Sequence, residues 1–327
     1  MSSQSPYLFV VGCPRSGTTL LQRMLDHHPQ LAIANDTHFI PRAIGSSTAS
    51  KNPPLDQELI ERVRRYHRFP RLNLSDGVVN EAAASASTYS EFVSNLYSSF
   101  ARLHEKPLAG EKTPDYVRYL PLLYDLFPEA RVIHIIRDGR DVALSTLEWA
   151  RPDKGPGRFP MWQEDSIAVC ALWWRWQVST GRQDGKSIGP DLYREVRYED
   201  LVHQPAKVLQ DMSKFLRLSF APQMLAFYEG KTRHEPRLSA KKAWLPPTPG
   251  LREWRSQMAA RDVELFEALA GDLLSELGYE RSVPIISPAI TTLAEERRRQ
   301  WEEEMTRRRL GKARRSRSLD QQQSGVL

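Results

Sequence analysis

Cysteine is nearly missing from this chain: Cys13 and Cys170 are the only two in 327 residues, which excludes a disulfide framework and thiolate zinc spacing. No apolar run approaches the roughly 20 residues that a membrane span needs. The start MSSQSPYLFVVG also lacks the basic opening and long apolar stretch of a secretory signal. These absences predict a cytoplasmic protein with no transmembrane segment. Charge of one sign is scarce as well, once its location is considered. The formal net charge is +6, but residues 295–317 hold ten Arg and Lys against five Glu, leaving 36 basic and 35 acidic residues elsewhere. The body is therefore near neutral, and no nucleic-acid partner is expected. One further absence matters more. Gly12 and Gly17 have the G-x-x-x-x-G spacing of a phosphate-binding loop after the apolar run Leu8-Phe9-Val10-Val11, but Thr18 and Thr19 follow where a Walker A loop has Lys-Ser or Lys-Thr.

What is present is an ordinary globular composition, 40% hydrophobic and 26% charged. Residues 7–11 read as a short buried strand, and Thr18 to His27 as an amphipathic helix directly behind the glycine loop, ended by Pro29. Leu31 to Ala34 suits a second strand, running into the polar cluster Asn35-Asp36-Thr37-His38. Strand, loop, helix and strand make the unit of a parallel sheet, so an α/β fold is expected, with a central parallel sheet flanked by helices. Residues 42–106 are helical in pattern with Ser/Ala/Pro-rich breaks and read as a helical covering insertion rather than sheet. Further on, 131–136 (RVIHII) and 192–198 read as strands, and 167–178 and 261–277 as helices. RDGRDVALS turns straight into a helix, and Pro205 opens another at the first-turn position that proline favours. Residues 238–250 form a Lys/Pro loop. The expected division is a domain over 1–285 and a charged helical or disordered tail over 286–327. Glu303–Arg307 and Glu304–Arg308 spacings support an exposed helix in that tail, and its basic end suits peripheral contact with an anionic surface.

The chemistry concentrates in two segments. In CPRSGTT, the glycines allow close backbone approach, amides from Ser16 to Thr19 can share one concavity, and the hydroxyls of Ser16, Thr18 and Thr19 add donors. Without the terminal lysine this loop is poorly built for a β/γ-phosphate pair with magnesium. It suits one terminal phosphate, with Arg15 over the leaving oxygen. In VIHIIRDGRDVALS, Arg137 stands at a second strand end and Ser145 lies eight residues on, a guanidinium and a hydroxyl for another phosphate. Two anion sites imply a ligand with phosphates at two places. The histidines His27 and His28 show no metal spacing, and no metal site is expected. Trp173, Trp174 and Trp176 read as core and pocket wall.

These two motifs, about 120 residues apart and in this order, resemble the cofactor-binding motifs of sulfotransferases that use 3′-phosphoadenosine 5′-phosphosulfate (PAPS). The resemblance spans roughly Tyr7 to Glu280 and implies a P-loop-type three-layer fold. It also implies that Arg15, Ser16, Gly17, Thr18 and Thr19 hold the 5′-phosphate, and that Arg137 and Ser145 hold the 3′-phosphate. RYEDLVHQPAKVLQDMSKFLRL is similar to the family's later strand-and-helix segment and puts Tyr198 where a cofactor-contacting tyrosine stands. MLDHHPQLAIANDTHFIPR is similar to the tyrosylprotein sulfotransferase branch and its bacterial relatives. By that match Asp36 takes the place of a catalytic glutamate, one methylene longer, and His38 and Arg42 take the places of two substrate-facing arginines. GEKTPDY puts Lys112 at a lysine near the transferring sulfonate. Lys241 and Lys242 fall in a loop that often closes over the cofactor.

Sulfuryl transfer needs an in-line nucleophile, a base for its proton, and cations at the leaving phosphate. Arg15 and Lys112 supply the cations and Asp36 the base, assisted or replaced by His38. The products would be a sulfated acceptor and adenosine 3′,5′-bisphosphate. The acceptor, a hydroxyl or amine of a small molecule, carbohydrate, lipid or peptide, is not spelled out by any segment. Two other classes stay open. A P-loop kinase or NTPase would need the missing lysine, with Asp36 as the magnesium acid; a non-catalytic binding protein would have no need of Arg15, Arg137 and Ser145.

Overall fold

Strands that are apolar on both faces belong inside a parallel sheet, because helices cover each side. The computed structural model describes residues 6–45, 50–229 and 252–324, with backbone alone for 312–324, and it contains such a sheet. Five parallel strands lie in the order β2-β3-β1-β4-β5, formed by β1 Leu8–Val11, β2 Leu31–Asn35, β3 Leu108–Lys112, β4 Arg131–Ile136 and β5 Tyr193–Arg197. Successive side chains point to opposite faces. Leu8, Val10, Ile33, Ile133 and Ile135 pack with α1 (Thr18–Asp26) and with Leu209, Met212 and Phe215. Phe9, Val11, Ala32, Ala34 and Val132 pack on the other side against a helical layer. This is the expected three-layer α/β architecture.

That layer includes α2 (Phe39–Ile44), α3 (Gln57–Arg64), α4 (Asp76–Ala84) and α5 (Tyr89–Leu103), so the segment expected to be a helical insertion is helical. Asp56 and Ser75 cap α3 and α4, and Thr88 with Glu91 forms a capping box on α5. The remaining labelled helices are α6 (Leu120–Leu126), α7 (Gly139–Trp149), α8 (Ser166–Ile188), α9 (Tyr198–His203) and α10 (Pro205–Phe215). Near the C-terminus run Ala260–Glu276 and Pro288–Ser324.

β3 is not expected from the sequence, and it is β3 that separates β1 from β2. Its segment LAGEK carries glycine and two charges where an apolar run is the usual signal. Gly110 is required by close approach, since a Cβ there would lie 2.7 Å from the Leu8 carbonyl oxygen. Register sets Lys112 opposite Val10 on one side and Asn35 on the other, at the C-terminal end of the sheet.

By packing, the chain forms two compact units. The first, Met1–Ile136 with Thr180–Pro249, holds the whole sheet; the second, Arg137–Ser179 with Gly250–Leu327, is helical. This cut does not follow the sequence boundary at 285. In the second unit Trp301 stacks on Phe159 at 4.3 Å, and Glu304 pairs with both Arg308 and Arg307. Among the described residues, no helix is long and apolar enough to cross a membrane.

Candidate active site

The loop between β1 and α1 is shaped by positive backbone angles at Arg15 (φ 80°) and Gly17 (φ 95°). Gly17 is obligatory: a Cβ would stand 2.3 Å from the Tyr198 ring, which lies against the loop. Gly17 is also the N-cap of α1 and offers no side chain to the helix's first amides. Ser16 Oγ is buried with no hydrogen-bond partner among the described residues. Uncapped amides and an orphaned hydroxyl at a helix start are the chemistry of an anion cradle. The loop therefore fits a phosphate.

Beside it, the ends of β2 and β3 carry charge. Lys112, about 1% exposed, brings Nζ to 3.0 Å from Asp36 Oδ1 and donates to Thr19 Oγ1 at 3.4 Å. Burial pushes the Lys112 ammonium's pKa down while Asp36 opposes the shift. Thus the candidate base, the candidate cation and the start of α1 meet in one unit. Asp36 and His38 are both left-handed, at φ 55° and 59°, a conformation that costs roughly 1–2 kcal/mol for a residue with a Cβ. Such strain persists where neighbours over-determine the backbone. Here Asp36 N–H donates to the Lys112 carbonyl (2.7 Å), Thr37 N–H to Glu111 Oε1 (2.9 Å) and Ile40 N–H to Tyr116 Oη (3.1 Å). Arg71 donates to the carbonyls of Asn35 and Asp36.

His38 lies 4.0 Å from Asp36 Oδ1 and 3.9 Å from Asp115 Oδ2. Burial first, then the Arg68 guanidinium, lowers its pKa to about 4, so it is a neutral imidazole at pH 7. Glu111 is fully buried and accepts from Thr37 N–H, the Thr113 hydroxyl and Tyr97 Oη (2.6 Å); burial raises its pKa to about 7.

The second motif belongs to the helical unit. Asp138 caps α7, and Arg137, just ahead of the helix, is buried and donates to Asp141 Oδ2 at 3.2 Å. Ser145 lies buried on α7. Trp174 Nε1 donates to the Arg137 carbonyl at 3.2 Å, so this tryptophan is core that holds the Arg137 backbone. Arg137 and Arg140 divide the work of RDGRD. Arg140 Nε and Nη2 donate to the two Asp138 oxygens at 3.0 and 2.7 Å, and Nη1 donates to Glu267 at 2.7 Å.

The family model described as the sulfotransferase family matches residues 6–222. This chain belongs to the sulfotransferase family. Protein-tyrosine sulfotransferase A of Caenorhabditis elegans is 25% identical over 221 residues, covering 68% of this chain and 52% of that protein. Protein-tyrosine sulfotransferase of Drosophila melanogaster is 27% identical, covering 65% and 38%. The chain thus spans about half or less of the length of these relatives. In fold it is similar to the sulfotransferase domain of the Synechococcus PCC 7002 olefin synthase, with TM-score 0.62, 23% identity, and coverage of 86% and 97%.

Among the sulfotransferase residues expected from sequence, the structure gathers Asp36, His38 and Lys112 at the strand ends with Thr19, and sets Tyr198 on the loop. Arg42 is exposed on α2. Lys241 and Lys242 lie outside the described residues. Glu111, Asp115, Arg68 and Arg71 are not among the site residues expected from sequence. For the first two the signal was at hand, since GEKTPDY puts acids on either side of Lys112.

Proposed function

We propose that the chain transfers the sulfuryl group of PAPS to an acceptor hydroxyl or amine by in-line displacement. The observation that carries this reading is the Lys112 ammonium lying between Asp36 and Thr19, at the head of the uncapped helix α1. Amides and hydroxyls of residues 16–19 would hold the 5′-phosphate, with the Tyr198 ring beside them, and Arg137 with Ser145 the 3′-phosphate. Arg15 and Lys112 would neutralise charge on the bridging oxygen as the sulfur–oxygen bond breaks, and Asp36 would take the acceptor's proton as the new bond forms. With cations supplied by side chains, the reading assigns no metal. His38 is neutral where the related branch has an arginine, so it serves the acceptor as a hydrogen-bonding group rather than a fixed cation. Because the relatives are named protein-tyrosine sulfotransferases, a tyrosine peptide is the first acceptor to offer, ahead of phenols, carbohydrates and lipids.

Thermal unfolding with added nucleotide tests the donor. Adenosine 3′,5′-bisphosphate should raise the melting temperature and Mg–ATP should not, and Arg137→Ala should remove most of the rise. Stabilisation by Mg–ATP alone would favour a kinase or NTPase. Labelled PAPS offered with each of the four acceptor classes then identifies the acceptor.

A further inference from the structure

Glu111 has no place in that chemistry, since no atom of it reaches solvent and both carboxylate oxygens are engaged. We propose that Glu111 is a positioning residue: by holding Thr37 N–H from inside the fold, it sets where Asp36 and His38, on either side of Thr37, present their side chains. This rests on the reading of Asp36 and His38 given above.

The geometry is specific. β3 alternates, so Lys112 faces the start of α1 while Glu111 faces α5, where Tyr97 Oη donates to it at 2.6 Å. Glu111 Oε1 takes both Thr37 N–H at 2.9 Å and the Thr113 hydroxyl. One carboxylate therefore ties together β3, α5 and the turn after β2, and Thr37 Oγ1 adds a 3.4 Å contact to Tyr97 Oη. The two residues held in the left-handed region are the immediate neighbours of Thr37. A single bond at Thr37 thus restrains both strained residues at once. From the exposed side Arg71 holds the carbonyls of Asn35 and Asp36, but its side chain is 45% exposed and easily exchanged for water. Glu111 is the interior side-chain restraint on Thr37, between the two strained residues, and water cannot replace it.

The titration of His38, followed by NMR of its imidazole and assigned with His38→Gln, reports the turn without needing activity. The groups acting on that ring are Arg68 and Arg42, which lower its pKa, and Asp115 and Asp36, which raise it. In the unaltered protein it should titrate near 4. Glu111→Ala should move it toward the ordinary value of 6.5, leave stabilisation by adenosine 3′,5′-bisphosphate intact, and slow transfer from PAPS to the working acceptor roughly 100-fold, the effect of about 1 Å of misplacement. Glu111→Gln keeps an acceptor oxygen for Thr37 and should restore both readouts substantially. If Glu111→Ala does not fold, Tyr97→Phe, which frees one carboxylate oxygen, should move the His38 titration in the same direction by less. A His38 titration unchanged in every folded variant overturns the proposal, even if activity falls. An unaltered protein that transfers nothing counts against sulfuryl transfer instead, and the titration then decides this point alone.

Discussion

Arg140 and Lys112 are both about 1% exposed, and each is paired with carboxylate, Arg140 with Asp138 and Glu267 and Lys112 with Asp36, yet they are held on different plans. Arg140 is closed in: it forks onto Asp138, bonds Glu267 and the Glu280 carbonyl, and lies 3.6 Å from the Trp254 ring centroid. Glu267 in turn accepts from Ser282 N–H, the Ser282 hydroxyl and Val283 N–H. In a buried ion cluster satisfied this fully no charge is left uncompensated, and removing one member is what costs stability. Lys112 is left open: it has Asp36 at 3.0 Å and a long bond to Thr19, its partner carboxylate is 29% exposed, and the backbone beneath Asp36 is strained. The first arrangement has nothing to offer a ligand; the second has charge, access and a fixed direction. Burial of charge alone does not mark a reactive site, and what separates the two is whether the cluster is complete without a ligand.

The comparison breaks most visibly at Arg140. Arg140→Ala takes from buried Glu267 its nearer cation, leaving only Arg281 at 3.7 Å, and should cost about 3–5 kcal/mol by chemical denaturation, whereas Asp36→Asn should shift stability far less. Equal losses from the two would erase the distinction.

A smaller effect comes from acid, because the shifted histidines belong to the sheet unit. His134 is buried on β4 with Nδ1 on Tyr193 Oη at 2.6 Å, and burial lowers its pKa to about 3. His38 is lowered to about 4. Below pH 6.5 the unfolded chain binds protons that the folded chain refuses at both sites, so stability falls as pH drops, down to pH about 3 for His134 and about 4 for His38. Glu111 acts oppositely: its folded pKa of about 7 exceeds the ordinary 4.5, so it adds stability as pH falls through that window. Among these three groups, two histidines against one glutamate leave a net loss in acid. His134→Gln should flatten the acid limb by one proton, roughly 1 kcal/mol per pH unit, in thermal melts from pH 6 to 4; an unchanged limb would show that His134 titrates normally.

Much of the fold was readable in advance. The apolar run at β4 has its observed bounds in the sequence, β1, β2, β5 and α1 are legible to within about two residues, and α10 starts at the expected Pro205, since each is an apolar run or amphipathic stretch with clear punctuation. β3 is not legible, because its last residues are spent on the site: Glu111 and Lys112 replace the apolar pair that would have marked a strand. Candidate site residues are legible wherever a motif is local, as at residues 12–19 and at Arg137 with Ser145. They are not where partners meet only through the fold. Thr37 and Glu111 are 74 residues apart, and nothing in RDGRD tells which arginine faces inward until Trp254 and Glu267 are in place.

Asp36→Asn most directly tests the central claim that the open cluster is the reacting one. Transfer of label from PAPS and stabilisation by adenosine 3′,5′-bisphosphate would be measured on the same preparation. The expected result is a rate lower by about 10²–10⁴-fold with the bisphosphate-induced stabilisation unchanged. Transfer at the unaltered rate would contradict it.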